Sequence, residues 1–185
     1  MIRRMLIAMG AMVCAGVVVV QAHENRPVGG YTVTVGFRAE PAVEDVVNAV
    51  DILINRSSYR KAISVRDGDI VDLTVQVQLR EDDAPDAKIW TKAWLKEQPR
   101  QDFAASNRYN AWFKPTHDGA YAFRIKGTIS DAGDPQVGPQ VIDETYVCGN
   151  GTQSSTSRFN CVEDPQTFPG KPSAGYRNNN LFSHD

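Results

Sequence analysis

Three histidines, His23, His117 and His184, make up the whole imidazole supply of this chain, and one of them stands where processing would change its chemistry. The stretch "VVVVQAHENRPV", residues 17–28, passes from an apolar run through Ala22 to His23 and then at once to charge. A cut between Ala22 and His23 makes that histidine the new N-terminus, with an α-amine beside an imidazole. The two groups have reference pKa values near 8 and 6.5, so both lose protons around neutrality. Together they chelate a Cu(II) ion, which prefers nitrogen ligands in a square arrangement. His117 is the candidate for a further nitrogen if folding brings it near. The plain alternative is that His23 begins a disordered arm, that His117 is an exposed turn residue and that His184 lies in a solvated tail.

Two cysteines follow the cut, Cys148 and Cys161. In an oxidising compartment such a pair forms a bridge, here closing a loop of about 14 residues for about 3 kcal/mol by the chain-entropy argument. The alternative, a two-thiolate metal site, has poor spacing for zinc and no neighbouring histidine. The third cysteine, Cys14, belongs to the segment that is removed. No nucleophile elbow, Gly-rich phosphate loop or His-Glu-x-x-His helix is present, so the expectation is a protein that is not an enzyme. Glu44-Asp45 and Asp82-Asp83 read as solvated loop charge, and "DAGDPQVG", residues 131–138, offers too few oxygens for a calcium loop.

Export is read from residues 1–22, where Arg3-Arg4 precede the apolar stretch Met5–Val20 and a Val20-Gln21-Ala22 cleavage signature. The stretch is shorter than the roughly 20 residues a spanning helix needs. The expectation is a signal-peptide helix, removed, and a secreted or periplasmic mature chain with no membrane attachment after cleavage. Losing residues 1–22 takes two of the 20 basic residues and none of the 22 acidic ones. A net negative chain without a basic cluster carries no footprint for nucleic acid.

The elements that must position these groups alternate with period two. "YTVTVGF" puts Tyr31, Val33, Val35 and Phe37 on one face, "IVDLTVQVQLR" sets Val71, Leu73, Val75, Val77 and Leu79 against Gln76, Gln78 and Arg80, and "AYAFRIKGTI" points Tyr121, Phe123 and Ile125 inward. Further strands read over 49–55, 87–95, 108–114 and 140–147, with a weaker one at "KAISV". Seven to eight strands punctuated by "RDGD", "DDAPD" and "HDGA" predict an all-β fold, an immunoglobulin-like antiparallel β-sandwich over residues 23–165. In "DGAYAF", Tyr121 two positions before inward Phe123 reads as a tyrosine corner with Phe123 where a core cysteine would stand. Residues 166–185, with prolines and repeated asparagines, read as an irregular tail.

The segments "GGYTVTVGFRAEPAVEDVVNAVDILI", "KPTHDGAYAFRIKGTI" and "VIDETYVC" resemble the exported bacterial YtkA-like proteins, immunoglobulin-like sandwiches related in architecture to CopC-type copper carriers. The resemblance covers roughly residues 22–165. It implies an exported β-sandwich, in some members associated with copper handling, with the N-terminal histidine of the CopC-type pattern falling on His23. The leading expectation is a non-enzymatic interaction or accessory module with a protein partner. The alternative is a copper-binding protein using His23.

Overall fold

The period-two segments of the sequence become the strands of two facing sheets in a computed structural model that describes residues 23–58, 60–84, 86–134, 138–149 and 158–165. The strands are β1 (His23–Val28), β2 (Tyr31–Phe37), β3 (Asn48–Arg56), β4 (Ile70–Arg80), β5 (Ile89–Trp94), β6 (Arg100–Gln101), β7 (Arg108–Phe113), β8 (Ala120–Ser130) and β9 (Gln140–Val147). One sheet runs β1-β2-β3-β7-β6 and the other β5-β4-β8-β9, every pair antiparallel. Taking β2 as strand A of an immunoglobulin domain, the orders become ABED and C′CFG, so the predicted sandwich is present with one strand, β1, added outside A. Residues 1–22, expected as a signal segment, and 166–185, expected as a tail, lie outside the described residues.

Alternation explains the core. Tyr31, Val33, Val35 and Phe37 of β2 and Tyr121, Phe123 and Ile125 of β8 are all buried between the sheets. Phe37, Phe123 and Phe159 meet at 5.0–5.6 Å between ring centroids, Phe123 and Phe159 stacked. Phe159 enters from beyond the last strand, between the halves of the Cys148–Cys161 disulfide and its return to β8 through Gly119–Val162 pairing. The predicted bridge is therefore present, and it ties this segment to the end of β9 instead of joining the sheets.

The predicted tyrosine corner is present as well. Tyr121 is buried and its hydroxyl donates to the His117 carbonyl at 3.0 Å. Burial pushes its phenol up to about 12. Tyr121→Phe removes the donor and is expected to cost about 1–3 kcal/mol in a urea melt; an unchanged midpoint would show that the corner contributes nothing.

Three expectations need correction. "KAISV" is not a strand: Ala62 makes one isolated bridge to Asn55, Ile63 turns into the core, and Val65–Asp67 form a 3-10 turn capped by the Ser64 side chain. The same segment sends Lys61 to Asp131 at 2.6 Å, and this hydrogen bond holds the Asp131 carboxyl below the usual range. The outward face of β4 is not wet throughout, because Gln76, Gln78 and Arg80 are buried. And His23 does not begin a disordered arm. It is the first residue of β1, whose register with β2 runs from His23–Gly36 to Val28–Tyr31 through a turn at Gly29 with φ +54°.

Candidate functional site

On the outer face of the larger sheet, one row of residues reads His23, Gly36, Asp51, Asn110 and Arg100 across five strands. His23 and Asp51 are separated by a whole strand, yet His23 Nε2 lies 3.0 Å from Asp51 Oδ2. The residue between them is a glycine, so nothing projects into the lane that the imidazole crosses. Asp51 is fully buried, and its other oxygen sits 3.0 Å from Arg108 Nε. A carboxylate can only accept, so Nε2 carries a proton and Nδ1 is the ring nitrogen turned away from Asp51. Nδ1 and the nitrogen of the same residue's backbone are the two atoms that close a six-membered chelate. Metal-binding histidines are commonly oriented in this way, by a carboxylate on the ring nitrogen away from the metal.

Glu40, in the loop after β2, feels the charge of His23. Burial pushes its carboxyl up to about 7, His23 pulling the other way, while Asn160 Nδ2 reaches Oε2 at 3.4 Å and Oε1 is buried with no hydrogen-bond partner among the described residues. A carboxyl whose folded value lies above its unfolded one favours folding when protonated. Its cost is therefore absent below about 4.5, the unfolded value, and fully present above about 7. Glu40→Gln is expected to melt at the wild-type temperature near pH 4.5 and above it at pH 8 in EDTA-treated buffer. A gap that does not widen with pH would refute this.

His117 is exposed at the corner and acts on a different acid, Glu44. Its backbone carbonyl, not its ring, is what the fold uses. His184 lies outside the described residues. Among the described residues no group of three or more His, Cys, Asp or Glu side chains is placed to hold a metal. Asp51, Arg108 and Glu40 were not singled out in the sequence. The signal that could have found Asp51 is the glycine inside the alternating "YTVTVGF", which marks a close approach on a sheet face.

A second surface lies on the other sheet. β5 is its outermost strand and every residue in it is exposed except half-buried Trp90; Trp94 stands 46% exposed. The segment "KIWTKAWLK", residues 88–96, carries three lysines four residues apart and no acid, a local exception to the absence of a basic cluster. Phe103 and Trp112 are likewise left outside, at 92% and 60%. Among the described residues no helix is long and apolar enough to cross a membrane. Comparison with family models, with characterised proteins and with solved structures finds no match to this chain.

Proposed function

We propose that this is an exported, secreted or periplasmic, non-enzymatic β-sandwich that works as an interaction or accessory module for a protein partner. The observation that supports the reading is the set of aromatic side chains left on the surface of a sandwich whose core closes without them, Phe103, Trp112 and Trp94. Exposed aromatics of this size are the usual anchors of protein interfaces. The test is a photo-crosslinking side chain placed at Phe103, Trp112 or Trp94 of the full chain in the cells that make it, with exposed Glu81 as control. Adducts with one partner at the aromatic positions and not at Glu81 are expected. Equal labelling at all four, or none, would overturn the reading.

A second reading, a copper-binding protein using the mature N-terminal histidine, is favoured by the His23–Asp51 contact. The amine and Nδ1 of His23 would hold Cu(II), with Asp51 orienting the ring from behind. Mature protein that starts at His23 is expected to retain Cu(II) through desalting, whereas His23→Ala and a chain extended by one residue before His23 lose it. His117→Ala tests whether the corner histidine contributes. Equal retention in all four would leave His23 as a structural residue at the start of β1.

A further inference from the structure

We infer that the free edge of β5 accepts an extended, acidic segment of a partner protein as an added strand, an inference that rests on the interaction reading above. Leu95 donates its N–H to the Val75 carbonyl at 2.9 Å, and Ala93 lies opposite Val77, so Thr91, Ala93 and Leu95 face β4 on this side of the bulge, where the register shifts between Leu79 and Arg80. By the two-residue period of a strand, Lys92 and Trp94 aim their N–H and C=O groups away from the sheet. These are the groups that strand addition pairs.

The other edges of the sandwich are more fully closed than this one. β1 carries Pro27 and an inward Arg26 that reaches Glu144 of β9 at 3.2 Å, so the β1 and β9 edges close on each other. β6 is two residues long. β5 has six residues and no proline. Its guards are charge and a bulge where the pairing with β4 shifts between Leu79 and Arg80, beyond which Thr91–Trp94 keep one register.

That charge selects the occupant. Lys88, Lys92 and Lys96 are exposed and, among the described residues, none is in an ion pair, whereas Lys61, Lys114 and Lys126 each meet an aspartate. A second copy laid antiparallel and centred on Lys92 would set Lys92 against Lys92 and Lys88 against Lys96. Like charges directly opposite destabilise a strand pair, and opposite charges stabilise it. An acidic strand therefore fits where a second copy does not, and exposed Trp94 offers an apolar contact to one of its side chains.

The probe is an acetylated nine-residue peptide of alternating valine and glutamate, titrated into the full mature chain with backbone amide shifts and hydrogen exchange as readouts. The Lys92 and Trp94 amides are expected to shift and become protected. Affinity is expected to fall by about tenfold or more in the K88E/K92E/K96E variant, and with a peptide N-methylated along one edge. Lys92→Pro, which removes an outward N–H and leaves the β4 ladder intact, is expected to do the same at an unchanged melting temperature, with Lys92→Ala as its charge control. Should Lys92→Pro fail to fold, the N-methylated peptide tests the same backbone contact on the wild-type chain. Unmoved β5 amides, equal binding of the N-methylated peptide, or equal binding of a valine–lysine peptide would each overturn the inference. So would phosphatidylglycerol vesicles that bind wild type and Lys92→Pro alike while the acidic peptide does not, since the lysines would then serve a membrane surface. In any of these cases, crosslinks at Phe103 or Trp112 would leave the interaction reading standing and remove only the role of β5.

Discussion

Replacing Asp51 with alanine is expected to destabilise the protein by about 3–5 kcal/mol, the range for removing one member of a buried charged set. The carboxylate is fully buried and answers two cationic or proton-donating groups at once, His23 and Arg108, each at 3.0 Å. Without it Arg108 keeps a charge that is largely removed from water and His23 loses the acceptor that fixes its ring. Asp51→Asn keeps the volume and one acceptor oxygen, so it is expected to fall between wild type and alanine. Urea midpoints of the three proteins decide the matter. A loss below about 1 kcal/mol for Asp51→Ala would place the row among ordinary surface ion pairs, whose contribution is of that size. The His23→Ala protein provides the complementary measurement, because its loss should be smaller while the Arg108 guanidinium still stands 3.0 Å from Asp51 as an ion pair.

Gly127→Ala is expected to be comparably severe, by about 2–5 kcal/mol, from two causes that add. Gly127 sits within β8 opposite Leu73 of β4, at the centre of the smaller sheet. Its φ of +148° belongs to a region L side chains rarely occupy, and a Cβ there would lie 1.9 Å from the Asp72 carbonyl oxygen. The obstruction is backbone, so no rotamer change relieves it, and β4 and β8 must move apart. Thermal melts of Gly127→Ala beside Gly138→Ala, where an added Cβ meets nothing within 4 Å despite a φ of +59°, separate the clash from the strain. Comparable losses at the two sites would refute the steric argument.

The strands that alternate were legible because each has one dry face. β2, β4 and β8 lie within a residue or two of where the pattern puts them, and β9 spans 140–147 as read. β1 was illegible for a physical reason: of "HENRPV" only Val28 is apolar at an inward position, and the other inward residues, Glu24 and Arg26, are charged. Their burial is supported by each other at 2.7 Å and by the Tyr146 ring under the Arg26 guanidinium, partners distant in sequence or hidden by the strand's own polarity. "KAISV" erred the other way, since Ile63 and Val65, two apart, mimic alternation over too few residues to bear a ladder, and Val65 is exposed in the 3-10 turn. The candidate site shows the same division. His23 could be singled out from its place after Ala22, whereas Asp51 needed the register of three strands before its distance from His23 meant anything.

Phe159 closes the aromatic cluster from a position beyond β9, the last strand among the described residues. A chain that ends before it has every strand of both sheets and still presents the faces of Phe37 and Phe123 to solvent. Completion of the core thus depends on chain that lies beyond the sheets, and the Cys148–Cys161 bond fastens that chain to the end of β9. A copy cut short of Phe159 would leave the Phe37 and Phe123 rings open on the side where Phe159 packs, so the strands alone do not make a finished core.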